Sequence, residues 1–159
     1  MKQRIYIDTS VIGGCFDEEF ELWSNQLMDE FISGQKTAVI SDITYREIEL
    51  APKNVQEKLF SIPIDFIEEV ITDLEVDELA NQYIKDEAVS QKFYEDAQHI
   101  ANATINKVDI LVSWNFKHIV NIDRIRKYNA VNLMLGYSQI EIRTPREILK
   151  YMSDENEKI

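Results

Sequence analysis

The carboxylates that fall on otherwise apolar faces are the chemically informative residues of this sequence. Asp8 ends a short apolar run at Ile5-Tyr6-Ile7-Asp8-Thr9-Ser10. Positions three and four apart on a helix share a face. Near residue 47, that rule groups Glu47 with Ile43, Leu50 and Ala51, and Glu49 with Tyr45, Arg46 and Lys53. Farther on it groups Asp96 with Phe93, Ile100 and Ala103, and Glu95 with Gln91, Lys92, His99 and Asn102. Glu47 and Asp96 are therefore expected to point inward, and Glu49, Glu95 and His99 outward. An inward carboxylate is costly unless it is paired or holds a metal. If Asp8, Glu47 and Asp96 converge, they repel one another and call for a cation. Hard oxygen ligands suit Mg²⁺ or Mn²⁺. An ion held in that way activates water for attack on a phosphodiester and stabilises the leaving oxygen.

Smaller groups surround these acids. Thr9 and Ser10 either position a phosphate or metal-bound water, or serve as turn residues after a strand. Ser113 follows a buried run and either hydrogen-bonds Asp8 or a water, or caps the backbone. Asn115 comes two residues later, with His118 three beyond it. Trp114 suits either base stacking or packing. Trp23 and Phe31 lie on a helical stripe and read as core or dimer contact. Asp109 opens the strand that Ser113 closes, which puts it roughly 20 Å from Asn115 at ~3.3 Å per residue.

The elements that must carry these residues alternate in type. Short β-branched or aromatic runs mark strands near 4–7, 38–40, 64–71, 109–113 and 140–142. Helical spacing marks helices near 23–34, 42–51, 54–61, 74–88 and 91–106, with another after 116. Thr144-Pro145 opens a last helix as N-cap and first residue. Such alternation predicts a largely parallel sheet covered on both faces. Ligands in these folds gather beyond the carboxyl ends of the strands. Asp8, Ser41, Asp42, Ser113 and Asn115 all sit there.

The 159 residues suit one domain, taken as 1–150, followed by an acidic tail at 151–159. The single Cys15 excludes a disulfide framework and a Cys-rich zinc module. No apolar run is long enough for a membrane span, and the N-terminus lacks signal-peptide character, so a cytoplasmic protein is expected. A phosphate-binding GxxxxGK[ST] loop, a GxGxxG turn and a GxSxG elbow are all missing. Ser10 stands where a haloacid-dehalogenase phosphatase needs its second Asp.

Several segments together resemble the PIN-domain ribonucleases. Ile5-Tyr6-Ile7-Asp8-Thr9-Ser10 is similar to their first strand and acidic residue. Ser41-Asp42-Ile43-Thr44-Tyr45-Arg46-Glu47-Ile48 is similar to their second, and Asp96-Ala97-Gln98-His99-Ile100-Ala101 to their third. Leu111-Val112-Ser113-Trp114-Asn115-Phe116 resembles the fourth, and Ile142-Arg143-Thr144-Pro145-Arg146-Glu147 the closing strand and turn. The resemblance spans about residues 4–148. It implies a three-layer α/β/α sandwich with a mostly parallel sheet, and a metal-dependent endoribonuclease. Asp8, Glu47 and Asp96 would hold Mg²⁺ or Mn²⁺, with Asn115 as the fourth catalytic position and Thr9, Ser10 and Ser113 positioning substrate or water. Many bacterial members are VapC-like toxins, which implies an antitoxin partner, an RNA substrate and a homodimer. Many members carry Asp where this chain has Asn115. That departure implies either one firmly held ion or an Asn that orients a water. It also keeps open a catalytically weak PIN-like module that binds RNA or protein.

Charge bears on the same question. The chain has 29 acidic and 17 basic residues, a net −12. That balance opposes whole-surface binding of a polyanion. The acids concentrate at 17–35, which carries six and no base, and at 65–87, which carries nine against Lys85. Residues 111–150 hold seven bases, including Lys117, Arg124, Arg126, Lys127, Arg143 and Arg146, against three acids. A local contact with nucleic acid beside the candidate site thus remains open.

Overall fold

The computed structural model describes residues 1–149; the expected acidic tail lies outside them. Five strands form a parallel sheet: β1 (Arg4–Ile7), β2 (Thr37–Ser41), β3 (Ile67–Val70), β4 (Ile110–Val112) and β5 (Ile142–Arg143), in the order β3-β2-β1-β4-β5. The helices are α1 (Thr9–Gly13), α2 (Glu21–Ile32), α3 (Asp42–Glu49), α4 (Lys53–Phe60), α5 (Leu74–Lys85), α6 (Tyr94–Ile105) and α7 (Ile122–Met134), and residues 145–149 are helical too.

The strands are short apolar runs because both of their faces are covered. Alternate side chains of a strand point to opposite sides. Ile5 and Ile7 of β1, with Ala38 and Ile40 of β2, enter one core beside α1, α2 and α4. Tyr6, Val39 and Leu111 enter the other, beside α5, α6 and α7. Complete burial of each such Ile or Tyr contributes about 1.5–3 kcal/mol. The result is the expected three-layer α/β/α sandwich, with every strand pair parallel.

Local signals placed most elements. Ser41 caps α3 by accepting from the Thr44 backbone N–H. Gly34, at φ +77°, lets the chain turn sharply after α2. Thr144 and Glu147 form a reciprocal capping box, Thr144 N–H to Glu147 Oε1 and Glu147 N–H to Thr144 Oγ1. Two expectations move. The stretch after Asp8 is helix α1 and not a loop. The last strand lies at Ile142–Arg143, later than 140–142.

Chain order places the site. From β1 the sheet grows one way through β2 and β3, and the other way through β4 and β5. The reversal falls between β1 and β4, whose carboxyl ends lead into Asp8 and Ser113. A parallel sheet opens a crevice at such a point.

Candidate active site

Hydrogen bonds stitch the two strand ends together. Ser10 Oγ donates to Asp8 Oδ1 and Ser113 Oγ to Asp8 Oδ2, both at 2.6 Å. Ser10 Oγ in turn accepts from the Trp114 N–H, and Ser113 Oγ from the Asn115 N–H, both at 2.9 Å. Asp8 is buried and held from both sides. Burial pushes its carboxyl above the usual range, and Glu47 adds to that, while His99 and the two serine hydroxyls pull it back. Thr9 Oγ1, next to Asp8, is buried without a hydrogen-bond partner.

Glu47 projects from α3 and Asp96 from the first turn of α6, both partly buried. Glu49 and Glu95 are exposed, as their faces predicted, and Glu95 reaches Arg46 at 3.8 Å. Burial raises the Asp96 carboxyl to about 6, with the charges of Asp8 and Glu47 adding to the effect. His99 and the hydrogen bond from Asn115 oppose it. The three acids therefore lie within electrostatic reach of one another. Leu50, expected on the Glu47 stripe, is instead exposed, because α3 ends at Glu49 and Leu50 lies beyond its last turn.

His99 contradicts its expected position. It is 2% exposed, not a surface residue. Its Nε2 lies 2.7 Å from Glu47 Oε1 and its Nδ1 2.6 Å from the Tyr6 hydroxyl. Tyr6 continues to Ser41 Oγ at 2.7 Å. Burial disfavours the imidazolium, but Tyr6, Glu47 and Asp8 outweigh it and hold the ring's pKa well above the ordinary value. A charged ring donates from both nitrogens, to Glu47 and to Tyr6. The pairing partner of Glu47 is thus a buried histidine ring from α6. Glu95, His99 and Asn102 share one stripe of α6, but the stripe passes from solvent at Glu95 to burial at His99 and Asn102. The second half of α6 is buried almost all round, and a polar face there need not be wet.

Asn115 reaches Asp96 through its amide, with Nδ2 donating to Asp96 Oδ1 at 3.4 Å. Its Oδ1 accepts the N–H groups of Lys117 and His118, at 3.2 and 3.0 Å. Asn115 therefore fixes its own loop and presents a donor, not a carbonyl, to the acid. His118 lies beside it, its ring stacked on Phe93 with centroids 3.6 Å apart. Asp109 accepts the Arg4 N–H at 2.7 Å and belongs to the far end of the sheet, as expected.

The donor chemistry suits a hard divalent cation, since burial and the charges of Asp8 and Glu47 raise the Asp96 carboxyl to about 6. Their oxygens are already engaged by Ser10, Ser113, Asn115 and His99. Among the described residues no three His, Cys, Asp or Glu side chains stand as a ready-made ligand cage.

Trp114 packs beside this site. Its Nε1 donates to Ser24 Oγ at 2.8 Å, and Gly14 lies against both. A Cβ at residue 14 would come within 2.6 Å of Ser24 Oγ and 2.8 Å of Trp114 Nε1. Gly14→Ala is expected to cost about 1–3 kcal/mol. Denaturant unfolding followed by tryptophan fluorescence checks this; an unchanged midpoint would show that the pocket under Trp114 is slack.

No family model and no curated protein matches the sequence. Solved structures do match the fold. VapBC2 from Rickettsia felis, solved on a DNA fragment from its promoter, gives a TM-score of 0.57 at 14% identity, over 89% of this chain and 98% of that one. FitAB, bound to an IR36 DNA fragment, gives 0.58 at 15% identity, over 89% and 94%. VapC20 from Mycobacterium tuberculosis, a Sarcin-Ricin loop cleaving toxin, gives 0.55 at 11% identity, over 86% and 98%. At these identities the likeness concerns architecture. The chain has the three-layer fold of VapC-like PIN domains.

Proposed function

We propose that this protein is a metal-dependent endoribonuclease that cuts RNA by water attack on a phosphodiester. The observation that supports the reading is the electrostatic coupling of three acids: Glu47 raises the proton affinity of Asp8 and of Asp96, and Asp8 raises that of Asp96. Asp8, Glu47 and Asp96 would hold Mg²⁺ or Mn²⁺. The bound ion supplies a water of lowered pKa and positive charge for the leaving oxygen. Ser10 and Ser113 orient Asp8 so that its carboxylate needs little rearrangement. His99 fixes Glu47 and supplies a positive charge of its own. Asn115 orients Asp96. The Thr9 hydroxyl is free to orient a water or a phosphate oxygen.

The proposal extends to a toxin paired with an antitoxin and acting in the cytoplasm as a homodimer. Support comes from the fold shared with VapBC2 and FitAB, and from the acid-rich helices α2 and α5, which offer a face to a basic partner. Among the described residues no helix is long and apolar enough to cross a membrane.

A second reading is favoured by one arrangement. Glu47 is paired with His99, and Asn115 replaces a fourth acid, which suits a PIN-like module that binds RNA without cutting it. Labelled RNA incubated with Mn²⁺ separates the two. Wild type is expected to cleave, and Asp8→Asn to lose at least about 10²-fold of that activity. Equal cleavage by both would overturn the site assignment. RNA retained but uncut by wild type would favour the binding module.

A further inference from the structure

An aromatic cleft of about 290 Å³ adjoins the acidic site and has no part in the chemistry above. Its walls are Phe20, Trp23, Trp114 and Phe116, with Arg146 at the rim. Phe20 and Trp114 stack, with centroids 4.3 Å apart and planes 20° from parallel. Phe116 does not join that stack. Its ring is tilted 43° to Phe20 and 53° to Trp114, at 6.2 and 6.3 Å, and it is half exposed. Arg146 lies over the Trp23 ring, 5.8 Å from its centroid.

We propose that this cleft is a nucleobase-stacking subsite that receives one unpaired base of single-stranded or looped RNA next to the cut phosphate. The inference rests on the nuclease reading for its substrate and on the cleft's own geometry for its occupant. Trp114 links the two through its backbone, whose N–H donates to Ser10 Oγ, which bonds Asp8, while its indole is stacked on Phe20. A base entering the cleft would stack on the exposed Phe116 ring, one residue from Asn115. The platform is stiff: Ser24 holds the indole and Gly14 backs it, so little order is lost on binding. Glu19 and Glu147 also line the cleft. They repel phosphate but tolerate a base edge bearing N–H donors, so the ring and not the backbone enters. A helix from a protein partner is too broad for the space.

Charge makes the same argument from the other side. Phosphate contacts scale with the lysines and arginines available, and a chain at −12 has few to offer. Stacking holds a single strand without net charge. A base inside a duplex cannot present its face, so the subsite selects unpaired RNA.

The chain's two tryptophans both line the cleft, so intrinsic fluorescence reads it directly. The protein is titrated with a short single-stranded oligoribonucleotide in EDTA, so that no metal-dependent cut intervenes. Saturable quenching is expected, with none from the same sequence fully paired. Phe116→Leu keeps apolar bulk but removes the π-face, and should weaken binding about tenfold with an unchanged thermal midpoint. Equal affinity in Phe116→Leu, or equal quenching by duplex, overturns the proposal. Retained RNA affinity together with lost binding of a purified antitoxin would assign the cleft to a protein instead. Quenching that survives when even wild type cuts no RNA upholds the subsite and removes the nuclease reading. Cleavage by Phe116→Leu at the wild-type KM does the reverse.

Discussion

Asp96→Asn is expected to make the protein more stable and inactive in one step. In the folded protein burial, Asp8 and Glu47 raise the Asp96 carboxyl to about 6, from an ordinary value of 3.8. The folded state therefore holds this proton more tightly than the unfolded state does. By linkage, stability falls as pH rises between those two values and stays lower above them. Discounted for partial exposure, the cost at neutral pH is on the order of 1–2 kcal/mol. Asn is nearly isosteric, keeps a partner for Asn115 and cannot ionise. Its thermal midpoint should exceed wild type by about 3–6 °C at pH 7.5, and the gap should close near pH 4. Mn²⁺ should stabilise wild type by mass action and leave Asp96→Asn unmoved. A variant that melts below wild type at pH 7.5 would refute the repulsion, whatever its activity.

His99→Ala is expected to produce the largest loss of stability of any single change in the site. It opens a cavity behind Tyr6, leaves Glu47 without its partner and leaves the Tyr6 hydroxyl with Ser41 alone. Breaking a buried pair and emptying the space costs about 3–5 kcal/mol; Glu47 is 30% exposed, so about 2–4 kcal/mol is expected here. A double-mutant cycle with Glu47→Gln should give a coupling of about 1–2 kcal/mol, because both changes break one contact. The pH dependence has the opposite sign to that of Asp96. His99 is raised above 6.5, so its contribution is complete below that pH and is lost as pH rises through the elevated folded value. Urea midpoints of wild type should fall on going from neutral to alkaline pH, and those of His99→Ala should fall less. Parallel curves would mean that the ring is neutral in the folded protein.

Much of this site is legible in residue types and spacing. Asp8 follows a run whose two-sided burial is written in Ile5, Tyr6 and Ile7, so its place at a strand's carboxyl end follows. Glu47 separates from Glu49, and Asp96 from Glu95, because one turn of helix decides which of two neighbouring acids faces the sheet. His99 escapes the same logic. A face of Glu95, His99 and Asn102 reads as wet, yet His99 packs on Tyr6 of the central strand, and only those three-dimensional partners show that a polar residue is buried. Helix α1 escapes for a different reason: five residues ending at Gly13, with Gly14 next, carry turn signals stronger than their helical spacing. The Asn115 carbonyl was open to a ligand role on composition alone, and loop geometry gives it to two backbone N–H groups.

The pairing of β1 with β4 also has a temporal meaning. Asp8 is held by Ser113, 105 positions later in the chain. During synthesis the first acid emerges early, but its second hydroxyl, the Asn115 loop and the aromatic cleft arrive only after most of the polypeptide has been made. No nascent fragment shorter than about residue 116 can assemble the crevice. Translation order thus fixes when the site can form: only a nearly complete chain carries all of its parts.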